Sequence, residues 1–188
     1  SKVGGFREMG LNVRNTLSLP NILEVVAGVQ VVSYKNDSDP VFPISNKSNT
    51  ITGLYADLRP VIPFSPDTKL SLAVRTDFAD SFGSRTIWKF GFRQPVGDFY
   101  IRGNGGTSYS LPRTNELFLE TPTSIGNPNL KTEQTETFNG GIGFAKTFGD
   151  VQINAEIGAF RTNVTGRIQT KLPKDAAEAA AAGVVNWK

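Results

Sequence analysis

The chain of 188 residues contains no cysteine, no histidine and a single methionine. Without thiolate or imidazole it can build neither a Ser-His-Asp triad nor a Cys-His pair, and the usual zinc ligand set is missing too. Zero cysteine also excludes a disulfide framework, which suits the cytosol and many bacterial envelope proteins equally. No loop carries the D-x-[DN]-x-[DN]-G spacing of a calcium site. No metal and no cofactor is therefore expected. No apolar run approaches about eighteen residues, so no membrane-crossing helix is expected. The net charge is +3, but Lys and Arg are dispersed and do not interleave with aromatic residues, which argues against a nucleic-acid partner. No nucleophile-base pair can be argued from residue order, so an enzyme is the weakest function class. Neither end reads as a natural terminus, and the chain reads as a piece of something longer.

What the sequence does have is glycine, 19 residues, and phenylalanine, 13. Helix signals are nearly missing, and apolar and polar residues alternate in segments of about ten. The segments are 7–18, 23–34, 50–62, 69–78, 86–95, 99–109, 135–148 and 151–169, with 184–188 beginning a ninth. Short turns follow segments one, three, five and seven. Long links follow two, six and eight. An antiparallel up-and-down sheet gives this pattern when one rim is trimmed and the other carries function.

Alternation alone does not say which face meets water. A soluble sandwich turns its apolar face inward, whereas a transmembrane barrel turns it toward lipid and lines a lumen with the polar one. The segment length favours the barrel, because about 9–11 tilted residues cross a bilayer while soluble strands average about 5–6. Segment 86–95 argues the same way. Trp88, Phe90 and Phe92 oppose Lys89 and Arg93, and a lipid-facing Lys or Arg near the midplane costs roughly 2–4 kcal/mol. Aromatic residues near strand ends (Tyr34, Phe64, Phe78, Phe82, Phe99, Tyr109 and Phe148) resemble the two girdles of such barrels.

The stretch 105–134 breaks the pattern. It has no sustained apolar period, carries Pro112, Pro122 and Pro128, and reads as a long loop joining two strands. Loops on rigid scaffolds concentrate binding residues. Two pieces stand out in it, YSLPRTNELF at 109–118 and GNPNLKTE at 126–133. Together they resemble the late-barrel signature of TonB-dependent outer-membrane transporters. There a Phe-Arg-x-Pro-x-x-x-Glu-Leu-like run closes one strand and Gly-Asn-Pro-x-Leu-Lys-Pro-Glu opens the next. Thr132 stands where proline is usual, and Ser110-Leu111 replaces the usual Arg-Ala. The FSPDTKLSL turn at 64–72 also looks like that family. The resemblance covers about 50–188 and is most specific over 109–143.

The resemblance implies an all-β, antiparallel up-and-down transmembrane β-barrel portion, with eight or nine strands of a larger barrel of about 22. Residues 1–188 are then a partial TonB-dependent receptor barrel domain, and the plug domain is not present in this chain. It further implies an active receptor in the bacterial outer membrane for a scarce nutrient: an iron-siderophore, haem, cobalamin or a glycan. Its partners are the TonB energy-transducing complex acting through the plug, the small-molecule nutrient and outer-membrane lipid. A passive porin-like channel and a soluble β-sheet ligand-binding module are the competing readings. On this reading the links at 35–49, 110–132 and 170–183 are extracellular.

Candidate ligand- or plug-contacting residues are Arg113, Asn115 and Glu116 in the loop, with Arg102 and Asn104 on the polar face of the strand before it. The alternative for the loop trio is that they cap and brace a short helical turn. Asp57/Arg59 and Arg75/Asp77 either line a ligand path or form cross-strand ion pairs. Gly103 to Gly106 lie inside a strand, so a bulge or close strand packing is expected rather than a phosphate cradle. The alanine run at 175–183 reads as a short helix with a glycine stop.

Overall fold

In a computed structural model, residues 6–36, 48–80, 82–113, 116–117, 120–121, 124–125, 127–171 and 185–187 are described. Eight long strands form one antiparallel sheet: β1 (Phe6–Leu19), β2 (Leu23–Asn36), β3 (Ser48–Pro60), β4 (Lys69–Ala79), β5 (Gly83–Val96), β6 (Phe99–Ser110), β9 (Glu133–Phe148) and β10 (Val151–Thr165). Four short strands, β7 (Glu120–Thr121), β8 (Ser124–Ile125), β11 (Thr170–Lys171) and β12 (Val185–Trp187), pair in a second small sheet. The long strands neighbour one another in chain order, so the sheet is a plain meander with β1 and β10 at its edges.

The alternation in sequence becomes two chemically distinct faces. Register places Val13, Val29, Leu54, Thr76 and Thr86 in one row, and Leu58, Leu72, Phe90 and Gly105 in another. Their neighbours Gly28, Tyr55, Arg75 and Ile87 form a row on the opposite side. A slip of one residue would exchange the faces of a whole strand, so the hydrophobic pattern fixes this register.

No second layer covers the apolar side among the described residues. Ile51, Leu117 and Leu130 are buried, but Ile51 lies on the polar face with Tyr55 and Asp57 and the two leucines lie in the β6–β9 loop, while Met9 is 79% exposed and Ile157 78% exposed. A soluble sandwich of this length would bury one face of each strand. A single sheet with an uncovered apolar face is instead what a lipid-facing barrel wall requires.

Glycines let the wall pack closely, and large side chains fill the space they leave. A Cβ on Gly103 would come within 2.6 Å of the Phe92 ring, and one on Gly105 within 2.5 Å of Phe138. Trp88, Phe90 and Phe138 form a connected aromatic cluster with centroid separations of 6.1 to 6.4 Å. On the polar face Tyr55 covers Gly28 and Tyr100 covers Gly143. The glycine-rich run is therefore close strand packing, as its position inside a strand implied.

The tight hairpins lie on one rim. Gly97 and Gly149 adopt φ of +62° and +60° at the first turn residue, a conformation L side chains resist. The loop-side connection from β4 to β5 is shorter than expected, because β5 begins at Gly83 rather than at residue 86. The last long strand stops at Thr165, four residues before the expected end. Along β10 the pattern inverts above Ala159: Phe160 falls on the polar side and Arg161 on the apolar side. The 15-residue strand outlasts the band needed to cross a bilayer.

The expected ninth strand does not extend the meander. Its residues Val185 and Asn186 pair in parallel with Ser124 and Ile125 of the small sheet. The alanine run lies outside the described residues.

Leu72 and Ser71 are adjacent on β4 and face opposite sides. Refolded into lipid bilayers, a Leu72→Lys variant of the full-length protein is expected to lose about 2–4 kcal/mol, and Ser71→Lys less than about 1 kcal/mol. Urea titration in vesicles measures both, and equal losses would refute the assignment of faces.

Candidate functional site

The loop between β6 and β9 is built from the two sequence pieces, and they bind each other. Tyr109 is the last aromatic residue before it. Its hydroxyl donates to Asp77 Oδ2 at 2.8 Å, and Arg75 Nε donates to Asp77 Oδ1 at 2.7 Å. Arg75 also reaches across to Gln30 Oε1 at 2.8 Å. Asp77 is only 5% exposed, and a carboxylate so buried needs these donors. The resulting chain ties β2, β4 and β6 together beneath the loop. Tyr109 thus acts as a polar brace, not as a girdle residue.

Next, Arg113 and Glu116 close a single helical turn. The Arg113 N–H donates to Glu116 Oε2 at 2.7 Å, and the Leu117 N–H donates to the Arg113 carbonyl at 3.1 Å. A carboxylate three residues on that satisfies a free N–H at a turn's start is the logic of helix capping. The second piece then docks on the first: the Asn127 N–H donates to the Glu116 carbonyl at 2.8 Å. The Asn127 side chain accepts from the Asn129 N–H at 2.9 Å, an Asx turn. Leu117 and Leu130 are buried beneath.

Thr132, the residue that departs from the family's proline, is used. It is 6% exposed, and its Oγ1 accepts from Arg85 Nε at 2.9 Å. A proline there could not accept this bond, so Arg85 and Thr132 form a side-chain clamp.

Arg102 and Asn104 belong to a second group deeper in the wall. Arg102 pairs with Glu156 through several short contacts and donates to Asn139 Oδ1 at 3.3 Å. Asn139 Nδ2 donates to Asn104 Oδ1 at 2.6 Å. Tyr100 donates to Glu156 Oε2 at 2.8 Å, and the Arg93 guanidinium lies 4.0 Å from the Tyr100 ring centre. At about 3.3 Å per residue, Asn104 sits some 20 Å below the end of β6. The four described candidates thus fall into two places. Arg113 and Glu116 brace the loop, Arg102 and Asn104 join the wall network, and Asn115 lies outside the described residues.

Of the proposed ion pairs, Arg75–Asp77 at 2.7 Å and Arg59–Asp57 at 3.3 Å both form, but within a strand. The cross-strand partner of Arg59 is Glu24 at 2.8 Å. Sequence reasoning missed Glu24, Gln30, Glu156 and Asn139. Alternation could assign each to a face, but only register sets them beside an arginine.

Sequence reasoning also missed a break in the wall. Backbone pairing of β5 with β6 stops at Lys89–Gly106 although both strands continue. The Trp88 N–H instead donates to Thr107 Oγ1 at 3.2 Å. A hollow of about 410 Å³ opens there, lined by Arg85, Thr107, Tyr109, Glu136 and Asn163 among others. Among the described residues no cluster of three His, Cys, Asp or Glu could hold a metal.

Replacing Tyr109 with Phe leaves the buried Asp77 short of one donor and is expected to cost about 1–3 kcal/mol. Hydrogen exchange should quicken in 109–117 and in β4 while the β9–β10 hairpin stays protected. Uniform change across the sheet would contradict the brace.

Residues 5–179 match the family model described as TonB dependent receptor-like, beta-barrel. Among solved structures, the siderophore receptor PirA from Pseudomonas aeruginosa superposes with a TM-score of 0.73 at 18% identity, over 97% of this chain and 34% of that one. A mutant of the ferric enterobactin receptor PfeA from the same organism gives 0.79 at 18% identity, over 98% and 31%. The hemophore receptor HasR of Serratia marcescens, solved as a double mutant with its hemophore HasA and heme, gives 0.74 at 13% identity, over 98% and 37%. No curated protein sequence matches the chain. It thus spans about a third of the solved relatives. Its eight-stranded sheet is a portion of a transmembrane β-barrel, and the chain belongs to the TonB-dependent receptor β-barrel family.

Proposed function

We propose that the protein is an active, TonB-dependent receptor and transporter in a bacterial outer membrane, carrying a scarce nutrient rather than catalysing a covalent reaction. The family match over 5–179 carries this reading. The solved relatives include receptors for siderophores, for ferric enterobactin and for a hemophore with heme. An iron-siderophore or haem is therefore the leading cargo, with cobalamin or a glycan behind it.

On this reading the rim of tight turns faces the periplasm and the 111–132 loop faces outward. Arg113, Asn115 and Glu116 contact ligand or plug from the loop, and Arg102 and Asn104 do so from the lumen wall. Glu116 spends one carboxylate oxygen on the Arg113 N–H, and Arg113 is exposed, so the arginine side chain is the better placed to meet a partner. The partners are a plug domain inside the barrel, the TonB complex acting through it, and lipid around the wall. A passive channel needs neither plug nor TonB, and no particular observation favours it.

The test is uptake by cells that express the full-length protein, supplied with iron-labelled siderophores of several chemical classes and with haem. Accumulation of at least one cargo should disappear in cells lacking TonB. Uptake that persists undiminished without TonB, or swelling of liposomes that contain the protein alone, would show a passive channel instead.

A further inference from the structure

The apolar face of the wall is not smooth. A hollow of about 650 Å³ opens on it across β5, β6, β9 and β10. Register puts Phe92, Gly103, Gly140 and Ala159 side by side in one row. The Phe92 ring already covers Gly103, but a Cβ on Gly140 would meet only the Arg102 carbonyl oxygen, at 3.6 Å. The hollow therefore has its floor at Gly140 and Ala159. Phe90 and Phe138 wall it on the loop side, and Ile101, Ile142 and Ile157 on the side of the tight turns. Its volume falls within the roughly 300–1,000 Å³ of small-molecule sites, which are likewise lined mainly by apolar and aromatic groups.

A cation stands at its upper border. Arg161 lies in the next row toward the loops, beside Phe138, on the same side of the sheet. It is exposed, and its one hydrogen bond among the described residues is a long one, from Nε to Asn163 Oδ1 at 3.4 Å. Glu136 is a row higher, opposite Asn163, and forms no ion pair with it. β10 starts at the tight turn with Val151, so Arg161 lies ten residues above that turn. At about 3.3 Å per residue and a tilt of about 40°, this is a rise of roughly 25 Å, the height of a barrel's apolar band. The guanidinium thus sits at the outer edge of the hydrocarbon, and the hollow lies just inside it.

An occupant of this place needs an apolar part for the hollow and an anion above it. The nutrient and any lumen domain are on the other face of the sheet. Water finds no partner among isoleucine and phenylalanine side chains. A second barrel packed there would leave Arg161 desolvated unless it brought a carboxylate to that height. Outer-leaflet lipid is already on this face, and an anionic one carries its phosphate where Arg161 stands. Arginine takes phosphate through two parallel N–H donors.

We infer that this hollow seats one anionic lipid of the outer leaflet, with an acyl chain over Gly140 and Ala159 and the headgroup phosphate on the Arg161 guanidinium. The proposal goes beyond the receptor reading and rests on it only for placing the apolar face in a membrane. A smooth wall would take any lipid, whereas this seat selects by headgroup charge. It lies directly below the point where the β5–β6 ladder opens, above Lys89–Gly106, so the bound lipid covers the wall where its strands are least tied.

Trp88 reports on the hollow, because its ring centre lies 6.1 Å from that of Phe138. The full-length protein is placed in phosphatidylcholine vesicles that hold a small fraction of brominated phosphatidylglycerol or, in parallel, of brominated phosphatidylcholine. A Trp88→Phe variant supplies the background to subtract. Quenching of the Trp88 signal should show a preference of about fivefold for the anionic lipid, the size that one basic group near a membrane surface gives. Arg161→Glu and Gly140→Leu should each remove that preference, while Arg161→Lys keeps most of it. Heat-modifiable gel mobility verifies that each barrel is folded. Equal quenching by the two lipids would overturn the proposal, as would a preference that survives Arg161→Glu or Gly140→Leu. A preference removed by soluble glycerol phosphate would show a free-anion site, and cross-linked dimers that Gly140→Leu abolishes would put a second copy in the hollow; either result refutes the lipid seat. Quenching does not require transport, so a clear preference without TonB-dependent uptake would sink the functional reading alone.

Discussion

Each backbone N–H and C=O in a wall that faces hydrocarbon must find its partner inside the protein, because lipid offers none. That constraint explains why the molecule is a continuous ladder of eight long strands rather than two packed layers. It also explains where irregularity is tolerated. The β5–β6 ladder stops only toward the loop rim, above Lys89–Gly106, where a threonine hydroxyl takes over from a carbonyl.

Once the apolar side is committed to lipid, the hydrophobic effect cannot hold a core together, and cohesion shifts to the other face. There the structure is knitted by charge-assisted bonds: Arg75 to Asp77 and Gln30, Arg102 to Glu156, and Arg59 to Glu24. Exposed pairs of this type are individually weak. They matter because each spans strands or closes over a glycine, so they hold the polar wall in a defined shape. Asp77 is the most buried of these acids, and it lies directly beneath the loop that carries the family signature. The loop's geometry is therefore an extension of the wall's polar network.

The fold was largely legible. Period-2 alternation located all eight long strands, mostly to within three residues, because segments with one greasy face cannot slip register without exposing the wrong side. Trp88, Phe90 and Phe92 against Lys89 and Arg93 made the sidedness readable. The candidate site was less so. Arg113 and Glu116 were flagged, but one bond between them braces a turn. Arg102 and Asn104 were flagged on a face whose partners, Glu156 and Asn139, come from strands more than thirty residues away. Thr132 was noticed only as a departure from a proline, and its bond to Arg85 was invisible.

By itself the sequence determined the strand pattern, the two chemical faces, the turn glycines and the family's loop signature, because each depends on residues close along the chain. Only the tertiary structure decided which charges meet, which glycines lie under Tyr55, Tyr100 and Phe92, and where the β5–β6 ladder opens. Those are matters of register between strands. Residue order sets register through the summed preference of a whole face, and no single residue announces it.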